Sequence, residues 1–283
     1  MKITEQAPAK VNLTLSVGER RPDGYHDLES VMTSVGLFDT VALEQTDTGA
    51  VTMTCTEPGL ACDETNLCVR AARLFLKETG TPCSGLAISL EKRIPMQAGL
   101  GGGSSDAAAV LRGLRRMYAP ELPVVSLEKW AISLGSDVPY CVRGATTLVR
   151  GKGERLLKLP KLPLCWFVLC KPQLSLSTAH MYGELDRLGV PCAADNTGLM
   201  SGLEAGDLRA VTQRLSNHFE AVLPPDSPIF SIRRRLLALG AAGACMSGSG
   251  SAVFGLFTQE ETARRAAQEL SADYSDTFFA ERV

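Results

Sequence analysis

The sequence has no uninterrupted apolar run long enough to span a bilayer, and its opening MKITEQAPAKVNLTLSV carries Glu5 and Gln6 where a secretory signal needs an apolar stretch. We therefore expect no membrane segment and a cytoplasmic location. It has no basic run, and 29 Lys and Arg against 31 Asp and Glu leave a net charge of −2, which weighs against a nucleic-acid partner. It has no CxxC pair, and His26, His180 and His218 stand far apart, so nothing in the spacing suggests a structural zinc. Nine cysteines are an odd number in a long chain, and several sit in apolar segments such as residues 164–170. They read as small buried hydrophobes rather than disulfide partners. Two familiar phosphate motifs are missing as well. No Lys follows the glycines near residue 100, so GxxxxGK[ST] is absent, and Ser104 stands where GxGxxG needs its third glycine.

What is present is concentrated in residues 95–118, PMQAGLGGGSSDAAAVLRGLRRMY. Gly99, Gly101, Gly102 and Gly103 are costly in chain entropy unless the backbone must adopt positive φ or approach something closely. Ala107, Val110, Leu111, Leu114 and Met117 then recur at helical spacing. Ser104 and Ser105 are candidate caps, Asp106 suits the positive end of the helix dipole, and Arg112, Arg115 and Arg116 suit the other end. A glycine loop running into a helix N-terminus delivers unpaired N–H groups to one point, the arrangement of an anion site. Its length suits a polyphosphate. A flexible surface loop before an ordinary helix is the alternative.

With 283 residues, 45% of them hydrophobic, the chain can bury a full core, and its length favours two domains over one. The residues 155–163, with Pro160 and Pro163, form a plausible boundary. Residues 3–17 read as a strand in which Lys10 precedes the alternation of Val11, Leu13, Leu15 and Val17, and a lysine there is ordinarily solvated. Pro22, Asp23 and Gly24 signal a turn that carries Tyr25 and His26 on a loop tip, where both could stack on a flat ring. Further strands are expected over 31–43, 51–55, 86–90 and 164–169, and helices over 66–78, from 126 to 135, and over 203–215, 229–239 and 260–270. Asp137 falls before Val138-Pro139, which places it at a helix-to-strand corner. A second glycine-rich turn, residues 243–251, permits close approach of another backbone or of a phosphate, or is simply a tight hairpin.

Together these segments resemble the GHMP kinases: PMQAGLGGGSSDA is similar to their phosphate loop and MSGSGSAVFGLF to their C-terminal glycine motif. Within that superfamily, APAKVNLTLSVGERRPDGYHDLESVM, the triple glycine and GSDVPYCVRG resemble the branch that phosphorylates a cytidine-diphosphate sugar alcohol in non-mevalonate isoprenoid synthesis. The resemblance implies an α+β, two-domain GHMP kinase-like fold with the active site in the interdomain cleft, divided into residues 1–158 with the ATP loop and 159–283. It implies transfer of the ATP γ-phosphoryl group to a tertiary 2-hydroxyl, with Mg²⁺ as the accompanying ion. Asp137 matches the catalytic base and Lys10 the catalytic lysine. Pro95, Met96, Gln97, Ala98, Gly99, Leu100, Gly101, Gly102, Gly103, Ser104 and Ser105 would hold ATP, with Asn66 contacting the nucleotide. Asn12 would orient the acceptor, while Tyr25, His26 and Tyr182 would hold the cytosine ring. No carboxylate announces itself as a metal ligand; Ser105 is the better guess, and Ser136 replaces an alanine common in relatives. The partners implied are the small-molecule substrate and ATP, with no nucleic acid and no membrane, for a monomer or homodimer. A GHMP kinase for another small alcohol, of the homoserine or mevalonate type, is the alternative, and a catalytically silent sugar-nucleotide sensor stands behind it.

Overall fold

The computed structural model describes residues 1–192 and 194–283. The elements run β1 (Lys2–Asn12), β2 (Thr14–Arg20), β3 (His26–Gln45), β4 (Val51–Cys55), α1 (Leu67–Thr79), β5 (Leu86–Glu91), α2 (Gly102–Tyr118), α3 (Val124–Ala131) and α4 (Val138–Arg143). They continue with β6 (Thr147–Gly151), β7 (Arg155–Lys158), β8 (Trp166–Lys171), α5 (Thr178–Leu188), α6 (Asn196–Glu204), α7 (Leu208–Thr212) and β9 (Ser216–Asn217). After a 3-10 turn over His218–Val222 come α8 (Pro228–Ala238), β10 (Gly243–Met246), β11 (Val253–Phe257), α9 (Glu260–Ser271) and β12 (Asp276–Glu281). The mixture of helices and sheets agrees with the α+β expectation. Two compact units divide the chain, one holding Met1–Ala9, Phe38–Met96 and Gly101–Gly144, the other Lys10–Leu37, Gln97–Leu100 and Ala145–Val283. They interleave along the sequence.

In the first unit β5 pairs antiparallel with the end of β3, Thr40 opposite Glu91, and parallel with β4, Val51 opposite Leu86. Helix α2 presents Ala107, Ala108, Val110, Leu111 and Leu114 to the interior and packs against α1 and α4. Its Gly113 permits close approach to β3, since a β-carbon there would lie 2.6 Å from Leu43 Cδ1. Arg112 ties the helix to its surroundings by donating to the carbonyls of Cys141 at 2.7 Å and Gln6 at 2.8 Å. Phe75 of α1 is fully buried and meets Trp130 edge-on, with ring centroids 6.4 Å apart.

In the second unit β8 is flanked antiparallel by β11 and β12, and β10 extends the sheet beyond β11. Helices α8 and α9 cover it, and the core joins Val168, Cys170, Ile229, Ile232, Val253, Phe257 and Leu270 to Leu15 and Val17. The N-terminal strand signal resolves into two strands broken at Leu13, and β3 is far longer than expected because it continues from the turn at Gly24 to Gln45. The helix expected over 203–215 is two short helices, α6 and α7. Asp207 ends the first run and caps the second by accepting from Ala210 N at 3.1 Å. Cys68, Cys141, Cys165, Cys170 and Cys245 are buried as expected, whereas Cys62 and Cys192 are exposed.

Replacing Phe75 with Ala should cost about 3–5 kcal/mol of unfolding free energy, because a full aromatic ring leaves a site that cannot collapse around Trp130. Chemical denaturation measures it, and a loss below about 1 kcal/mol would contradict the packing described.

Candidate active site

The two glycine-rich segments meet within the second unit. Ser247, in the turn between β10 and β11, donates its hydroxyl to the Gly99 carbonyl at 2.9 Å and accepts from Asn12 N at 3.3 Å. Ala252 N donates to the Ala98 carbonyl at 3.0 Å, and Lys10 N donates to the Leu100 carbonyl at 2.9 Å. A β-carbon on Gly99, whose φ is +73°, would overlap the Ser247 carbonyl oxygen, so glycine is needed there for both backbone conformation and space. Of the readings left open for residues 243–251, the close approach of another backbone and the hairpin are both observed, since β10 pairs antiparallel with β11 and α8 packs on the two. Asn217 steadies the turn from behind, its amide donating to the carbonyls of Met246 and Gly248, each at 2.8 Å.

Lys10 is only 3% exposed, which overturns the ordinary expectation of a solvated lysine at a strand start. Its ammonium donates to Asn12 Oδ1 at 2.7 Å and stands 3.3 Å from where a β-carbon on Gly248 would sit. Asn12 in turn donates from Nδ2 to Ser30 Oγ at 2.8 Å, and the Ser30 hydroxyl donates to the Thr14 carbonyl at 2.6 Å. That chain fixes the amide with its oxygen toward Lys10. Asn12 therefore aims the ammonium, a use of the side chain that the sequence did not suggest.

The aromatic candidates separate. His26 opens β3 rather than capping a loop tip; it is buried, its Nε2 lies 2.8 Å from Asp186 Oδ1, and its ring stacks on Tyr182 with centroids 4.8 Å apart and planes at 18°. Phe219 meets the edge of Tyr182 at 5.0 Å. Tyr25 is 54% exposed, with Lys152 Nζ 5.3 Å from its ring centre. Two of the three expected ring-holding residues are thus brought together, and Tyr25 stands outside that stack.

In the first unit the glycine-rich loop ends at Gly101, which initiates α2 in the left-handed region with φ +69°. Ser104 and Ser105 lie inside the first turn, and no side chain caps the helix, so the expected serine cap is not formed. The N–H groups that begin any helix have no intrahelical acceptor, and here no side chain takes their place. Ser105 Oγ is buried without a hydrogen-bond partner among the described residues. Asn66 caps α1, accepting from Cys68 N at 2.9 Å and donating to the Ala61 carbonyl at 2.6 Å, which commits its amide to local structure. Asp137 directly precedes α4 with φ −85° and ψ −15°. The expected helix-to-strand corner is a helix start instead, because Pro139 occupies the first turn, where its missing N–H costs nothing.

Behind the loop lies a cluster of buried charge that the sequence did not single out. Asp39 accepts from Arg93 N at 2.5 Å and Ile94 N at 2.8 Å, and its other oxygen pairs with Lys92. Lys92 also donates to Asp106 at 2.8 Å. Burial pushes the Asp106 carboxyl up to about 7, against the pull of Lys92 and with the help of Asp39. Burial also lowers the Lys92 pKa, yet the two carboxylates outweigh it and raise it. Asp39 had a visible signal, a lone acid within the apolar residues 35–43.

The family model for the GHMP kinases N terminal domain matches residues 66–145, and that for the GHMP kinases C terminal region matches 199–276. The 4-diphosphocytidyl-2-C-methyl-D-erythritol kinase of Exiguobacterium sibiricum is 42% identical over 266 residues, covering 94% of this chain and 92% of that one. The chain belongs to that kinase family, within the GHMP kinases. A crystal structure of 4-(cytidine 5'-diphospho)-2C-methyl-D-erythritol kinase superposes with a TM-score of 0.82 at 37% identity, covering 99% and 98% of the two chains. The homoserine kinase from Cytophaga hutchinsonii reaches a TM-score of 0.76 at 20% identity, covering 100% of this chain and 95% of its own, which shows a shared fold. GHMP kinases take their phosphoryl group from ATP. Among the described residues of this kinase no helix is long and apolar enough to cross a membrane, and no group of three or more His, Cys, Asp or Glu is placed to hold a metal ion.

Gly99→Ala should destabilise the kinase by about 2–4 kcal/mol, combining backbone strain with a clash against main chain that cannot rotate away. A thermal midpoint equal to wild type would disprove the interlock of the two glycine segments. For Asp106, a folded pKa above the unfolded carboxylate value means that its stabilising contribution is present below about pH 4 and is lost as pH rises through about 7. Asp106→Asn has no such loss. Relative to wild type, the variant should gain about 1 kcal/mol or more between pH 4 and pH 8 in denaturant titrations, and parallel pH profiles would contradict the raised pKa.

Proposed function

We propose that this chain transfers the γ-phosphoryl group of ATP to the 2-hydroxyl of 4-diphosphocytidyl-2-C-methyl-D-erythritol. The observation that carries the reading is the buried Lys10–Asn12 pair held against the interlocked glycine segments, in a chain 42% identical to a kinase of that name. In the reaction the hydroxyl oxygen attacks the γ-phosphorus, its proton passes to the Asp137 carboxylate, and the bond to the bridging oxygen breaks to release ADP. Lys10, aimed by Asn12, supplies positive charge to the attacking oxygen. The backbone N–H groups from Gly99 to Ser105, together with the α2 N-terminus, take the phosphate oxygens, where positioning and spread charge neutralisation matter most.

The stacked His26–Tyr182 pair supports a planar base on the substrate, with Tyr25 exposed nearby in sequence to add a second face. Mg²⁺ suits this chemistry. The unpartnered Ser105 hydroxyl is a hard oxygen donor, and phosphate oxygens and water would complete the shell. Bound there, the ion would neutralise charge on the transferring group. We also propose a cytoplasmic enzyme, monomer or homodimer, with residues 1–158 carrying the nucleotide loop and 159–283 the remainder of the substrate site; Asn66, committed to its helix cap, would reach the nucleotide by packing alone.

Incubation with ATP and, separately, the cytidyl substrate, homoserine and mevalonate tests the assignment. Phosphorylation only of homoserine or mevalonate would sink it. Asp137→Asn should lower kcat by about 10²–10⁴-fold while leaving the KM for ATP within a few-fold, and unchanged turnover would remove Asp137 from the reaction.

A further inference from the structure

The glycine loop between residues 95 and 101 contains backbone that resists ordering. Gly99 and Gly101 have positive φ, and so does Gln97 at +52°, a side-chain-bearing residue held where such residues are strained. Freezing such a stretch costs entropy at every residue, glycine most of all. The carbonyls of Ala98, Gly99 and Leu100 are held by Ala252, Ser247 and Lys10, and the shape depends as well on how firmly the two ends are held.

Lys92 stands three residues before the loop, and Asp106 lies in the first turns of α2, beyond it. One ammonium joins them, donating to Asp106 at 2.8 Å while also pairing with Asp39 of β3. Asp39 holds the entering backbone a second time through the N–H groups of Arg93 and Ile94. The three side chains are 7%, 2% and 0% exposed, so the pairing is shielded from water and from salt. Gly102 completes the fit: a β-carbon there would come within 3.2 Å of both Lys92 Nζ and Ile94 Cγ2, so the missing side chain lets the ammonium press against the helix start. An ammonium beside a helix N-terminus is opposed by the dipole, and the two carboxylates offset that opposition. A buried charge cluster is poor evidence for stability, since apolar replacements often serve as well. Its presence here calls for a role in shape.

We propose that Lys92, Asp39 and Asp106 form an ionic clasp that closes the glycine-rich loop and holds it in the shape that receives ATP, making Lys92 and Asp106 positioning residues for phosphate binding. The link to ATP rests on the loop's role under the proposed function, while the clasp itself rests on the contacts above. It acts before chemistry, by sparing ATP the cost of ordering the loop.

Lys92→Met strands two buried carboxylates and is a poor probe if it fails to fold, so Asp106→Asn is the principal variant; it keeps the Lys92–Asp39 pair and removes the charge that ties the far end. Two measurements are made on the full chain at about pH 8, where the Asp106 carboxyl is ionised. Amide hydrogen exchange across residues 96–103, without nucleotide, should be about tenfold faster in Asp106→Asn, corresponding to about 1.4 kcal/mol of lost closure. Steady-state kinetics should show the KM for ATP raised about five- to tenfold, with kcat and the KM for the alcohol within twofold. A purely structural loss would instead lower kcat through the active fraction and leave the KM for ATP alone. Unchanged exchange overturns the clasp whatever the loop binds. Faster exchange with an unchanged KM for ATP overturns the link to phosphate binding, and Gly101→Val then separates the cases: unaltered ATP affinity there would show that the loop itself does not hold the nucleotide.

Discussion

The close seating of Gly99 against the Ser247 carbonyl is the constraint on which the rest of the second unit's chemistry depends. Glycine at that position, with positive φ and no side chain, lets two sequence-distant glycine segments share one set of backbone hydrogen bonds. Ser247 then reaches Asn12, and Asn12 accepts from the Lys10 ammonium, which helps to give it a defined direction. Turn, amide and lysine form a single mechanical chain. A disturbance at its glycine end would be felt at the ammonium.

Buried charge is handled differently in the two units. Lys10 donates to the amide oxygen of Asn12, itself fixed by Ser30. Lys92 is held by two carboxylates that cancel it, so its charge is spent on structure. The same residue type thus sits buried in two different settings, an amide oxygen meeting one ammonium and two carboxylates the other. The raised pKa of Asp106 follows from the same crowding: burial and a neighbouring Asp39 penalise a second negative charge more than one ammonium can offset.

The likeness to a homoserine kinase at 20% identity shows that the fold alone does not choose the alcohol. Selection is a matter of side chains added to that frame. In this chain His26 and Tyr182 stack on each other, with Asp186 at the imidazole and Phe219 at the edge of the tyrosine ring.

The sequence by itself determined the local features whose causes are local. Glycine density announced the positive φ at Gly99 and Gly101, apolar spacing announced α1, α2, α8 and α9, and the motif order announced the kinase family. It misjudged the start of α2, where helix geometry began at Gly102 and swallowed the serines expected to cap it, and it read Asp137 as a corner because a proline biases its neighbour both toward strands and toward helix starts. Only the tertiary structure decided that Lys10 is buried, that Asn12 aims it, that His26 stacks on Tyr182, and that Lys92, Asp39 and Asp106 converge. Those outcomes depend on residues tens to hundreds of positions apart meeting in space, and one linear pattern carries no record of which distant partner will neutralise, stack on or orient a given side chain.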